Sequence, residues 1–150
     1  MPKHYGHLAR ILHWCVDQTM TRSLEEMDLT AAQGQIMGYI AHCAQPPCPR
    51  DVEEQLHLSH PTVSGLLSRL EKKEFLALRP DPTDRRCKRI YILPRGRDCL
   101  ETMHRTIHGI EDQIVHGFTP EEQEQFHGLL ERAIANMGAS PCIHKEESKK

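Results

Sequence analysis

Three groups of side chains in this 150-residue chain have the types and spacing to do chemistry. Arg85, Arg86, Lys88 and Arg89 stand almost side by side, bracketed by Asp81 and Asp84, within RPDPTDRRCKRIYILPRG (79–96). Scattered charge keeps a protein in solution, whereas a cluster of one sign usually has a partner of the other. His104 and His108 are spaced i, i+4, and so are His13 and Asp17. Each pair falls on one helical face, and facing helices can assemble a metal site from such pairs. Cys15 and five further cysteines supply thiols, but they lie far apart with no C-x-x-C pair. Free thiols in a reducing compartment are the expected state.

The basic cluster is part of a wider asymmetry. Net charge is −2, yet residues 59–97 carry ten Lys and Arg against four Asp and Glu, a local +6. The remaining residues carry nine against seventeen. Aromatics make up only 5%, so the core must come from Leu, Ile, Val and Met. No run approaches the roughly 20 apolar residues that span a bilayer. MPKHYGHLAR has no apolar signal-like region, so a cytoplasmic protein without a membrane partner is expected. No P-loop, nucleophile elbow, H-E-x-x-H or carboxylate dyad occurs, so no catalytic residues are assigned and an enzyme is not expected. A metal hydrolase using His104 and His108 is the enzymatic alternative.

The elements that must position these groups are legible from periodicity. Leu8, Ile11, Leu12, Cys15, Val16, Met20, Leu24 and Met27 form a helical stripe over 8–27. Thr30 caps a second helix running to about residue 44, and QPPCPR ends it, since prolines cannot sit inside a helix. Pro49 opens the short helix DVEEQL. Ser59 caps a helix over 60–75 whose Val63, Leu66, Leu67 and Leu70 make one apolar face. Its other face reads His60, Thr62, Ser64, Gly65, Ser68, Arg69 and Lys72, small, polar and basic. Two helices joined by a short turn, the second with such a face, match a helix-turn-helix. Residues 76–79 and 88–93 alternate like strands around PDPTDRR, which has hairpin-loop chemistry. The expected fold is therefore mainly α with a small β-hairpin wing. A long helix from Pro94 or Arg95 carries Leu100, Met103, Ile107, Ile110, Ile114 and Phe118 on one stripe. Thr119-Pro120-Glu121-Glu122 starts a last helix with Phe126, Leu129, Leu130, Ile134 and Met137. The charged tail HKEESKK reads as disordered.

In winged helices that bind duplex DNA, one helix enters the major groove and the hairpin tip reaches backbone or minor groove, where arginine is favoured by the negative potential. Asp84 is expected to pair with Arg86 and hold the wing, leaving Arg85 to reach outward. Released counterions make such a basic surface effective. The bland alternative is a solvated hairpin whose charges only deter edge pairing. A winged helix serving only as a protein-interaction module is a further alternative, which an acidic recognition helix would favour; here that face is basic.

The text LTAAQGQIMGYIA (29–41) and LSHPTVSGLLSRLEKKEFLALRPDPTDRRCKRIYILPRG (58–96), followed by two long helices, resembles the MarR-type dimeric transcriptional regulators. The resemblance covers roughly residues 8–137. Its most specific part is S-x-x-TVS-x-LL-x-RLEKK, then R-x-DPxDRR and a Gly three residues past the last strand Leu. It implies a homodimer held by the first helix and the last two, with two winged domains reading a palindromic operator in double-stranded DNA. Regulation would be repression relieved by a small effector. Thr62, Ser64, Ser68 and Arg69 match recognition-helix positions, and Asp84, Arg85 and Arg86 match the wing motif; His60, Lys72 and Lys88 complete the candidate DNA-binding set. Glu74 replaces a usual Gly at a left-handed helix end, and Pro94 replaces a usual Thr. The implied division is 1–28 with 94–138 for dimerisation, 29–93 for DNA binding and 139–150 as tail. Three apolar stripes exceed what one winged domain can cover, which also points to a dimer.

Relatives of this type respond to phenolic ligands, thiol oxidation or zinc. No cofactor is required; zinc and a small aromatic effector are the candidate ligands. His104, His108 and Asp17, with His13, fall near ligand positions of the zinc-responsive branch, but Gln35 and Gly34 stand where that branch has His and a carboxylate. Cys15 matches a peroxide-sensing position, while Ala31 and Gly34 replace its activating tyrosines. Arg10, Trp14 and Tyr39 are suggested by residue type for an aromatic effector. His42 and His144 have no assigned place.

Overall fold

The computed structural model describes residues 3–140, so the expected tail beyond 140 lies outside the described residues. Helix starts follow local chemistry. Helix α1 spans Tyr5–Glu26 and α2 spans Ala31–His42. Thr30 caps α2 reciprocally: the Gln33 amide donates to Thr30 Oγ1 (3.2 Å), and the Thr30 amide donates to Gln33 Oε1 (3.0 Å). That exchange satisfies two otherwise orphaned donors and lets Gln33 be buried. Helix α3 (Pro49–Leu56) begins on proline, with the Cys48 amide donating to Asp51 Oδ2 at 2.9 Å. It closes through His57 in the left-handed region (φ 53°), after which Ser59 caps α4 (His60–Lys72).

Strands β1 (Leu76–Pro80) and β2 (Lys88–Ile92) pair antiparallel with Leu76 opposite Ile92, Leu78 opposite Ile90 and Pro80 opposite Lys88. The Ile90 amide also donates to the Pro47 carbonyl (2.9 Å), tying the hairpin to the proline-rich loop before α3. The core sits where α2, α3, α4 and the hairpin meet: Ile36, Met37, Val52, Val63, Leu67, Leu70, Leu76 and Ile90 are fully buried. The helix-turn-helix and wing expected from periodicity are present, with element ends shifted by a few residues at most.

Helix α5 spans Pro94–Ile114 and α6 spans Pro120–Asn136, capped by Thr119 with Glu122 returning the bond. Phe118 was expected on the α5 stripe but lies beyond that helix. Gly117 takes φ 81°, which ends helical backbone, and Phe118 instead meets Phe126 edge to face at 5.7 Å. The chain falls into two compact units, one ending at Ile110 and one starting at Glu111. Leu24 of α1 and Cys99 and Met103 of α5 belong to the same apolar cluster as the winged elements. Among the described residues no helix is long and apolar enough to cross a membrane.

Candidate nucleic-acid interface

Helix α4 separates its residues by period. Val63, Leu67 and Leu70 are buried, while His60, Thr62, Ser64, Gly65, Ser68, Arg69 and Lys72 are all exposed. Apolar spacing of i, i+4 and i+7 turns one stripe inward and leaves the polar one outward. Two members of that outer face are engaged within the protein. His60 Nδ1 lies 2.6 Å from Glu53 Oε1 of α3, and the Thr62 hydroxyl lies 2.8 Å from the Ser59 hydroxyl at the cap. Among the described residues the side chains of Ser64, Ser68, Arg69 and Lys72 hold no hydrogen bond or ion pair. Glu71, next to them, accepts from the Leu78 amide (3.0 Å) and so fixes α4 against β1.

The wing is organised by Asp81. The residue is 6% exposed in an otherwise open loop. Oδ1 accepts from the Thr83 amide and the Thr83 hydroxyl, both at 2.8 Å. Oδ2 accepts from Arg89 Nε at 2.6 Å, and Arg89 Nη1 donates onward to the Pro46 carbonyl at 3.2 Å. The Thr83 amide first, then the Arg89 guanidinium, hold the Asp81 carboxyl well below the usual carboxylate range. Arg89 is therefore a structural member of the basic cluster, locking the hairpin to the loop before α3. Sequence spacing showed the cluster but did not distinguish Arg89 from its neighbours. The register did: Arg89 faces Arg79 across the ladder, next to the end of the pairing where Asp81 turns the chain.

Asp84 was expected to pair with Arg86, and it does so through the backbone. Its Oδ1 accepts from the Arg86 amide (3.0 Å), because a carboxylate reaches an amide two residues on more directly than a guanidinium at the end of a long side chain. The arginine side chains of 85 and 86 and the Lys88 ammonium are exposed and, among the described residues, without a partner. Five exposed cations (Arg69, Lys72, Arg85, Arg86 and Lys88) are thus presented by α4 and the wing, while the Glu71 and Asp81 carboxylates are engaged with the Leu78 amide and with Thr83 and Arg89. Unneutralised like charge on a fixed frame is the electrostatic form of a polyanion-binding surface.

The candidate sensing residues are distributed differently. Arg10 and Trp14 are exposed on α1, and Tyr39 is half-buried in α2, its phenol pushed up to about 12 by burial and then by Cys43. None of the three lines the cleft of about 290 Å³ that opens beside Glu26, Asp28, Phe75, Arg95, Asp98 and Cys99. In that cleft Arg95 stacks on Phe75 (4.8 Å) and donates to the Lys73 carbonyl (2.7 Å). His13 and Asp17 lie exposed on α1, and His104 and His108 lie exposed on α5. Among the described residues no three His, Cys, Asp or Glu side chains gather closely enough to hold a metal ion. At Gly34, where the resemblance would place a carboxylate in zinc-responsive relatives, a β-carbon would lie 2.9 Å from Leu24 Cδ2, so a side chain there would require the Leu24 side chain of α1 to shift. The five described cysteines, Cys15 among them, are free thiols. Beside Asp84, the Cys87 thiol is pushed up, which leaves less reactive thiolate at neutral pH.

Comparison with known proteins places this geometry. A model of the MarR family matches residues 27–86. YwaE of Bacillus subtilis, an uncharacterized HTH-type transcriptional regulator, is 31% identical over 88 residues, covering 59% of this chain and 52% of that protein. The transcriptional activatory protein BadR of Rhodopseudomonas palustris is 29% identical over 97 residues, covering 63% and 53% respectively. The chain thus spans about half the length of these two curated relatives. Among solved structures, the S. aureus MepR–DNA complex superposes with a TM-score of 0.77 at 29% identity, covering 89% of this chain and 99% of that one.

Proposed function

We propose that the chain is a MarR-type winged-helix protein and a homodimeric transcriptional regulator that binds a palindromic site in duplex DNA. The observation that carries this reading is the set of five exposed cations on α4 and the wing that have no partner among the described residues. MepR, a solved protein of similar architecture, is recorded on DNA. Helix α4 enters the major groove with Ser64, Ser68 and Arg69 toward base edges, Lys72 meets phosphate, and Arg85 and Arg86 reach the adjoining groove from the wing. Asp81 and Arg89 hold the wing at the angle that makes this reach simultaneous.

Dimerisation rests on uncovered apolar surface. Tyr5, Leu8, Ile11 and Trp14 on α1, and separately Leu129, Leu130, Ile134 and Met137 around α6, are exposed. Large apolar patches of this kind are covered by a partner surface in stable proteins, and a second copy places two α4 helices for half-sites about one helical turn apart.

We read the regulation as repression relieved by a small effector. In vitro transcription from a template carrying the bound site, with and without salicylate-like acids, zinc or peroxide, tests that sign; activation by the protein alone would reverse it.

DNA binding itself is tested by selecting duplexes from a random pool and titrating them by fluorescence anisotropy across salt. Changing Arg85 and Arg86 to Ala should reduce the slope of log affinity against log salt by about 2 per protomer. An unchanged slope and affinity would overturn the reading.

A further inference from the structure

Gly65 sits in the middle of α4, where glycine loses more backbone freedom than alanine and weakens the helix. The fold gives a reason for other glycines. At Gly34 a β-carbon would meet Leu24, and Gly117 and Gly138 take positive φ. Gly65 has neither reason: its φ is not positive, and a β-carbon added there would meet no atom within 4 Å. Within the protomer, alanine is the better residue at this position.

Openness alone does not mark a contact, because the helix glycines Gly38, Gly109 and Gly128 are equally open. What sets Gly65 apart is its surroundings. On a helix its surface neighbours are three and four residues away, here Pro61, Thr62, Ser68 and Arg69. It is therefore ringed by the exposed small and cationic side chains of α4, among which Ser68 and Arg69 hold no partner among the described residues. A bare backbone patch in such a ring is where the helix can come nearest to what it faces.

We propose that Gly65 is a specificity-determining residue: the missing side chain lets the α4 backbone seat against base edges in the major groove, bringing Ser64, Ser68 and Arg69 into reach of them. The inference rests on the DNA-binding reading above. A β-carbon at this point acts as a spacer. It holds the helix away from base edges while the longer, flexible Arg and Lys side chains still reach phosphates. Loss should therefore fall on the chosen sequence and spare non-specific binding.

Gly65→Ala separates the possibilities because the variant should be more stable. Its Tm is expected to rise by about 3 °C. Affinity for the selected duplex should fall at least tenfold, and affinity for a random duplex in dilute salt should stay within twofold. A Gly65→Leu variant should lose more on the selected duplex and keep the random one. Unchanged affinity of Gly65→Ala for the selected duplex, or an equal loss on both duplexes, overturns the inference and leaves the DNA reading standing. Failure of the unmodified protein to bind any duplex removes the DNA reading instead.

Discussion

Gly96 lies so close beneath the carbonyl of Phe75 that a β-carbon would stand 2.1 Å from that oxygen. The same carbonyl accepts from the Leu93 amide at 3.1 Å, so one backbone oxygen bonds the residue that follows β2 and lies against the first turn of α5. The contact joins the wing's base to the helix that leaves it. The nearest atom that Gly96→Ala would meet is backbone, the Phe75 carbonyl oxygen, with the Ile92 Cγ2 methyl next at 3.0 Å. Overpacking of this kind costs about 1–3 kcal/mol, and the strain here belongs at the upper end. Urea unfolding measures it; a variant as stable as the original would show that the two segments can separate freely.

Asp81 gives the protein a dependence on acid. Its carboxyl is held below the usual range in the folded protein by the Thr83 amide and Arg89, whereas an unfolded Asp titrates near about 3.9. The folded form therefore favours the ionised carboxylate. This stabilisation is complete above the unfolded value and is lost as pH falls through the lower, folded one. Asp81→Asn should be less stable than the original at pH 7, and the gap should close as pH drops below about 4. Paired urea melts from pH 7 to pH 2 read the gap directly; a gap that stays constant would contradict the role given to the charge.

Glu53 is the carboxylate of α3 that faces the proposed DNA surface, where it engages His60 at 2.6 Å. Removing its charge while keeping its shape should relieve repulsion from phosphate. Glu53→Gln is expected to tighten random-duplex binding by about threefold to tenfold in dilute salt, with the difference shrinking as salt screens it. Anisotropy at two ionic strengths checks this, and weaker binding would mean that Glu53 positions His60 for contact.

Glu74 takes φ 62° directly after α4. The Phe75 amide donates to the Leu70 carbonyl at 3.1 Å across it, the bond of a left-handed helix end. A side chain in that conformation costs about 1–2 kcal/mol. Glu74→Gly should therefore stabilise the protein by about 1 kcal/mol and leave the salt slope of DNA binding unchanged. Thermal unfolding monitored at 222 nm is sufficient to see it.

The elements of the winged body were legible because each is announced locally. Thr30, Ser59 and Thr119 cap their helices, prolines mark helix starts, and Val63, Leu67 and Leu70 recur at the period that buries one face. The basic surface was legible for the same reason, since Arg85, Arg86 and Lys88 are neighbours in the chain. The end of α5 was read too far, because a stripe that continued to Phe118 concealed the positive φ of Gly117.

Other features required atoms distant in the chain to meet. Arg89 and Arg86 are both arginines of the same cluster, yet one is locked to Asp81 and Pro46 and the other has no partner among the described residues. Residue type is the same, but Arg89 lies on β2, where the pairing sets it near Asp81, whereas Arg86 lies in the loop before that strand. The sequence marks His60 as a DNA-contact candidate, and only the packing of α3 on α4 shows that Glu53 stands beside it. Gly34 and Gly96 look like any helix glycine until Leu24 and the Phe75 carbonyl are brought against them. Local order follows from short-range sterics and hydrogen bonding, which neighbouring residues carry in themselves. Which charge stays free and which glycine is indispensable depends on surfaces that come together only when the core closes, and a linear pattern holds no record of those distances.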